Sequence, residues 1–273
     1  MSLNNGTVSE TARGGRAVAP TAKIPFPKRK VPRERALAEL ARLEEAYPDA
    51  VTALEYDSPW TLLVAVILSA QTTDARVNMT TPHLFAAYPT PAALAAAPLE
   101  DVERIIKSTG FFHMKAKSIT SAARAVAERY GGEVPREREQ LEALPGVGRK
   151  TASVVLSVAF GDAALAVDTH VFRVAHRLGL TLGKTPREVE DDVVKLVPKD
   201  KVRFAHHWLI LHGRAICKAP VPLCFRCPVN DLCPTAPIVE RTLRARAHEK
   251  AKPARAKARK KAKKPSRAPG RKR

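Results

Sequence analysis

The sequence contains no stretch of about 18 apolar residues, the length a helix needs to cross a bilayer. Its most apolar run, Trp60 to Ala70, is much shorter and reads as a buried helix. An apolar leader is also missing from the first thirty residues, so secretion is not expected. Cysteine is scarce, with four in 273 residues. In the reducing compartment this implies, metal binding outranks disulfides. Aromatic residues make up only 5% of the chain, and no segment alternates apolar and polar residues convincingly. Extended sheet is therefore not expected. Alanine and leucine dominate and favour helices. The predicted class is all-α, with short extended links at Val134–Pro135 and Ala163–Val167.

Excess charge is missing from the body of the chain. The net charge is +20. Residues 241–273 hold 16 Lys/Arg against one acid, and residues 1–30 hold six against one. Between them, 25 basic and 25 acidic residues balance. Basic tails of this kind supply salt-dependent, sequence-independent attraction to phosphate backbones. They carry no apolar face that could insert into a membrane. Residues 1–30 lack periodicity and are expected to be a disordered basic extension. Residues 241–273, a Lys/Arg/Ala/Pro tail, are expected to be disordered as well.

Helical spacing fills the interval between the tails. Leu37, Leu40, Leu43 and Tyr47 recur at helical intervals up to Pro48, and Pro59 opens an apolar helix through Ala70. Further helices are predicted over Thr73–Tyr88, Pro91–Ala97, Leu99–Ser108, His113–Tyr130, Glu137–Leu144, Arg149–Phe160, Asp168–Leu178, Pro186–Leu196 and Lys201–His212.

One junction carries chemistry. In Leu144-Pro145-Gly146-Val147-Gly148-Arg149-Lys150-Thr151-Ala152, two glycines flank an apolar residue between two helical patterns. Glycine permits positive φ and close backbone approach. The second helix opens with free N–H groups, which suit a phosphate. Lys150 sits in its first turn, where the positive dipole end and Arg149 both oppose a charged ammonium. Nucleophilic attack requires the neutral amine. The plainer role for such a lysine is phosphate binding. Eighteen positions on, Val167-Asp168-Thr169-His170 ends an apolar run and starts a helix. Asp168 is placed to cap that helix. Its carboxylate could also face the lysine, stabilising a developing sugar cation or positioning a water.

Cys217, Cys224, Cys227 and Cys233 follow the spacing C-x6-C-x2-C-x5-C. Four thiolates can complete a [4Fe–4S] cluster or a tetrahedral zinc site, and the spacing alone does not choose between them. His206, His207 and His212 precede the first cysteine. They are expected to pack in the core and support the cysteines, which already close a four-ligand site.

LPGVGRKTA followed by VDTH resembles the helix-hairpin-helix, glycine–aspartate signature of endonuclease III-type DNA glycosylases. The resemblance covers about residues 33–237 and includes HHWLILHGR and the cysteine spacing. It implies that Lys150 attacks C1′ of a damaged nucleotide and forms a Schiff base, while Asp168 assists base departure and later proton transfers. It implies a [4Fe–4S] cluster on the four cysteines, with Lys218 and Arg226 of that loop near phosphates. The hairpin would grip the DNA backbone through Gly146 and Gly148, with Arg149 beside them. The segment Leu68-Ser69-Ala70-Gln71-Thr72-Thr73-Asp74 matches a family motif whose glutamine enters the gap left by a flipped nucleotide. That role falls to Gln71, with Ser69 near the base pocket. The second wedge falls at Gly110–Lys115, where Phe111 and His113 replace the more usual leucine and asparagine. Core packing is the alternative for Phe111 and Phe112. Glu142 matches a family glutamate near the base pocket.

The implied architecture is two helical lobes around a cleft. One is a six-helix barrel over residues 53–163, with the hairpin motif at about 137–160. The other joins residues 31–52 to 164–240 and holds the cluster. The expected activity is excision of oxidised pyrimidines from duplex DNA, then strand cleavage 3′ to the abasic site. The expected partner is double-stranded DNA with damaged pyrimidines or abasic sites, bound by a monomer without membrane association. The expected location is the bacterial cytoplasm at the nucleoid, or the nucleus or mitochondrion of a eukaryote. Competing expectations are an adenine mismatch glycosylase, a non-enzymatic DNA-binding protein that depends on its tail, and a zinc scaffold. Lys150 and the low-complexity tail argue against the first of these.

Overall fold

The computed structural model describes residues 24–247, and every regular element in that range is helical. The helices are α1 (Arg33–Ala46), α2 (Pro59–Leu68), α3 (Asp74–Ala87), α4 (Pro91–Ala95), α5 (Leu99–Ile106), α6 (Phe112–Arg129), α7 (Arg138–Glu142), α8 (Arg149–Ala159), α9 (Thr169–Arg177), α10 (Pro186–Leu196) and α11 (Val202–Ala215). A twelfth, α12, covers residues 236–247.

Side-chain caps set five of the starts. Ser58 and Thr61 form a capping box ahead of α2, with Pro59 in its first turn. Thr185, Glu188 and Pro186 do the same for α10. Thr73 and Thr90 cap α3 and α4. Nine of the ten residues of α2 are buried, which explains why its sequence is apolar all round.

Two hydrophobic cores divide the chain. One draws on residues from Leu54 to Ala164, with Leu62, Leu63, Leu68, Ile106 and Ile119 wholly buried. The other joins Ala36–Ala50 to Leu165–Ala236, around Leu43, Leu165, Leu178 and Leu209. The chain therefore passes from the second core to the first after Ala50 and returns at Leu165. Helices α2 to α8 enclose the first core, the helical lobe expected to carry the hairpin. Two of them, α4 and α7, have only five residues each. Helix α11 packs along α9 and also touches α8, joining the two cores.

The outer boundaries differ from expectation. Residues 24–30 are mostly exposed, but three of them contact the body. Ile24 is buried, Phe26 stacks on His176 with ring centroids 4.8 Å apart, and Lys30 pairs with Asp192 at 2.6 Å. Two apolar residues in a polar stretch are too few to show periodicity. Residues 241–247 belong to α12. The rest of the expected disordered ends, 1–23 and 248–273, lies outside the described residues. No helix among the described residues is long and apolar enough to cross a membrane.

Candidate active site and DNA-facing surface

Helices α7 and α8 form the hairpin. Gly146 turns it with φ 78°, and a Cβ there would lie 2.6 Å from Ser118 Cβ, so both backbone and space require glycine. Gly148 precedes α8 and offers no side-chain cap. The amides of Gly146 and Gly148 donate to no backbone group among the described residues, and both glycines are exposed. The hairpin thus presents unsatisfied N–H donors beside the positive end of an 11-residue helix.

Lys150 follows in the first turn of α8, exposed and without an ion-pair or hydrogen-bond partner among the described side chains. Asp168 caps α9, its Oδ1 accepting from the His170 amide at 2.8 Å and the Val171 amide at 2.7 Å. Its Oδ2 has no partner among the described residues, so one oxygen fixes the carboxylate and the other is free. Lys150 and Asp168 line one cleft of about 270 Å³, together with Ser69, Gln71, Asp74 and His206. Two helix N-termini therefore open on the same space, one carrying an amine and the other a carboxylate.

His206 and His207 close the cleft floor. Burial, helped by the charges of His207 and Lys150, lowers the His206 pKa to about 3, and burial lowers that of His207 to about 4. Both are neutral packing groups at physiological pH, as expected from the sequence.

Gln71 and Phe111 are the two non-glycine residues with positive φ among those described, at 54° and 48°. Phe111 is 67% exposed, so core packing is excluded for it; Phe112 is partly buried against the first core. His113 is exposed, and its Nδ1 meets Glu103 at 2.8 Å.

Two candidate positions make internal contacts that the sequence does not display. Arg149, expected beside the DNA backbone, turns inward, and its Nε donates to Glu190 at 2.8 Å. Glu142 is not among the residues lining the cleft; it sits 3.7 Å from Arg138 and 4.0 Å from Arg149. Sequence reading missed Glu190, which is buried on α10 and also accepts from Arg138 at 2.9 Å and Ser153 at 3.2 Å. This cluster ties the hairpin to the second core.

The four cysteines line a single cavity with Arg177 and His212. Arg177 donates to the carbonyls of Lys218 at 2.7 Å and Pro220 at 3.1 Å, and lies 3.5 Å from Cys217 Sγ. His212 Nε2 lies 3.5 Å from Cys227 Sγ. Arg173 holds the Cys217 carbonyl at 3.0 Å. Burial pushes Cys227 up to about 11 and Cys233 up to about 12, so these sulfurs are thiols unless a metal ion deprotonates them. Among the described residues no three metal-ligating groups converge as they would on one ion. A single zinc ion would draw its sulfurs to roughly 3.8 Å of one another. A cluster places each sulfur on a different iron and needs a wider cage. Four thiols lining one cavity are a donor set that such a cluster could use, and Arg177 and His212 line the same cavity. Lys218 and Arg226 are exposed on this loop.

Comparison with known proteins matches residues 64–199 to the HhH-GPD superfamily of base excision DNA repair proteins. Endonuclease III of Synechocystis is 50% identical over 206 residues, covering 75% of this chain and 94% of that protein. Endonuclease III of Escherichia coli is 48% identical over 194 residues, covering 71% and 92%. A solved structure of a trapped endonuclease III–DNA covalent intermediate superposes with a TM-score of 0.71 at 44% identity, covering 76% of this chain and 97% of the other.

Proposed function

The chain belongs to the endonuclease III family of base excision repair DNA glycosylases and lyases, and within that family we propose that it removes oxidised pyrimidines from duplex DNA with Lys150 as nucleophile and Asp168 as its partner. The observation that carries this reading is the shared cleft: an unpaired amine and a half-free carboxylate at the mouths of two helices.

In this mechanism the hairpin amides of Gly146 and Gly148 hold a phosphate, and the damaged nucleotide turns out of the stack into the cleft. The Lys150 Nζ lone pair forms a bond to C1′ as the bond from C1′ to the damaged base breaks. Asp168 Oδ2 stabilises the positive charge that develops on the sugar. Loss of the amine proton and ring opening give a Schiff base. Removal of a C2′ proton then expels the 3′ phosphate oxygen, which is the β-elimination step, and water releases the lysine. Gln71 and Phe111 fill the vacated gap, with His113 near the opposite strand and Ser69 near the base. The neighbour trapped as a covalent DNA intermediate supports this assignment for the same fold.

Cys217, Cys224, Cys227 and Cys233 would hold a [4Fe–4S] cluster, which when bound cross-links the loop and presents Lys218 and Arg226 to phosphates. The two lobes are assigned as residues 53–163 and residues 31–52 with 164–240. The protein acts as a monomer on DNA, in the cytoplasm at the nucleoid if bacterial.

Borohydride trapping on duplex DNA with an abasic site tests the assignment. The chain forms a covalent adduct, and Lys150→Ala forms none. Undiminished trapping in Lys150→Ala removes the nucleophile from the mechanism.

A further inference from the structure

Lys115 is only 5% exposed. It is the fourth residue of α6, and no carboxylate among the described residues pairs with it. Its ammonium donates to Thr72 Oγ1 at 2.6 Å and to the Thr109 carbonyl at 2.8 Å, both neutral acceptors. Burial lowers its pKa. A buried lysine without a counterion is rare, because charge is costly to remove from water.

What the amine joins explains its presence. The Thr72 hydroxyl also donates to the Thr109 carbonyl, so lysine, threonine and carbonyl close a three-membered ring of hydrogen bonds. The ring links the loop after α2 to the turn before α6, 37 residues further along the chain. Thr72 is the neighbour of Gln71, and Thr109 is two residues from Phe111. These are the two non-glycine positions with left-handed backbone among the described residues. Such a backbone persists only where its surroundings over-determine it. Helix α6 begins at left-handed Phe111 with no side-chain cap, so the geometry there depends on tertiary contacts.

We propose that Lys115 is a positioning residue that clamps the two DNA-facing loops at fixed separation, so that Gln71 and Phe111 enter the gap as a single wedge. The proposal rests on the reading above in which these two side chains fill the space left by the flipped nucleotide. A clamp matters when stacked DNA has to be opened. It matters little for the chemistry of Lys150 on a sugar that is already unstacked.

The test uses the full chain with its metal site loaded, comparing wild type, Lys115→Met and Thr72→Val. Methionine preserves the buried length without the ammonium; valine removes only the hydroxyl of the ring. Two substrates are used: duplex DNA with thymine glycol, and a single-stranded oligonucleotide with an abasic site. A 2-aminopurine beside the lesion reports opening of the stack. In Lys115→Met the single-turnover rate on duplex falls at least roughly tenfold, consistent with the cost of misplacing a positioning group. The 2-aminopurine signal falls with it, while borohydride trapping on the single strand stays within about twofold. Thr72→Val moves in the same direction, and the double variant is no worse than Lys115→Met, since both belong to one node. Thr72→Val carries the same test if Lys115→Met does not fold. Duplex excision within twofold of wild type in both variants overturns the clamp. So does a parallel loss of single-strand trapping, which marks a general defect. A wild-type chain trapped on neither substrate overturns the reading of the site, and the clamp with it.

Discussion

Replacing Glu190 with glutamine should loosen the hairpin from the second core, and the size of the effect follows from its contacts. The carboxylate accepts from Arg138 at 2.9 Å, from Arg149 at 2.8 Å and from Ser153 at 3.2 Å. Glutamine keeps the shape but turns an NH₂ toward one guanidinium. Two hydrogen bonds to charged groups, each contributing about 1.5–3 kcal/mol, become neutral or are lost, and a neutral bond contributes only about 1 kcal/mol. Breaking a fully buried pair costs about 3–5 kcal/mol. The arginine side chains here are 23% and 32% exposed, so water compensates part of the loss. The expected destabilisation is about 2–3 kcal/mol, or roughly 5–10 °C in Tm for a body of this size. Urea unfolding measures the first and a thermal scan the second. Because Glu190 is only 6% exposed, 1 M salt should leave most of the difference in place. Displacing Lys150 by about 1 Å can cost about 100-fold in rate, so single-turnover trapping should fall as well. An unfolding midpoint within about 0.5 kcal/mol of wild type would refute the strut and return Arg149 to the DNA-facing set.

In the proposed mechanism Asp168 has two separable duties. Asp168→Asn retains an oxygen for the His170 and Val171 amides, so stability should change by less than about 1 kcal/mol while excision falls by orders of magnitude; Asp168→Ala should cost about 1 kcal/mol more as the cap is lost. Calorimetry and single-turnover excision on the same samples separate the two, and equal rates for wild type and Asp168→Asn would dismiss the electrostatic duty. Acid should destabilise the fold. His206 and His207 are held by burial at about 3 and 4, below the ordinary 6.5. The unfolded chain therefore takes up protons that the native chain refuses, and stability is lost as pH falls from 6.5 toward 4. Glu39, raised by burial to about 8, acts in the opposite sense, losing its contribution as pH rises from 4.5 to 8. Urea midpoints at pH 5 and 7 should converge in His206→Phe relative to wild type; an unchanged gap contradicts the assignment. Salt should separate affinity from chemistry. Between 50 and 200 mM, binding should weaken steeply while the saturated single-turnover rate stays within about threefold, and a parallel collapse of that rate would contradict a geometric site.

The parts of the site legible in the sequence are those whose chemistry is local. Gly146, Gly148 and Lys150 sit within five residues, so glycine and helix-start patterns display them directly. Asp168 announces itself as a cap because an apolar run stops there and a helix begins. The cysteines are visible through spacing. The illegible parts depend on register between distant segments. Nothing around Arg149 shows that Glu190, 41 positions later, will take its guanidinium. Lys115 ends the predicted wedge segment, but its burial is not visible there, since its acceptors lie on other turns and one is a backbone carbonyl. Arg177 reads as the polar face of α9, yet it is 3% exposed and holds the cysteine loop. In each case the residue type is ambiguous and the partner decides. Phe111 misleads in the other direction: two adjacent phenylalanines suggest core, but the left-handed backbone at the first splits them between solvent and interior.

The balance of charge in the body acquires a physical meaning from these partners. Arg138 and Arg149 face Glu190, Arg173 and Arg177 face carbonyls of the cysteine loop, and Lys115 faces its ring. These five cations are occupied with internal structure, whereas Lys150 and Arg214 line the cleft with no partner among the described side chains. Beside them, oriented N–H groups and the aligned dipoles of α8 and α9 add positive potential at the hairpin without adding net charge. Such a field is short-ranged and directional, strong at one phosphate and one sugar and weak a turn away. The basic segments at the ends supply the opposite kind of field, long-ranged and without direction. In the proposed reading, such a chain would be drawn to any duplex by its ends, yet would offer Lys150 only to a nucleotide already brought into the cleft.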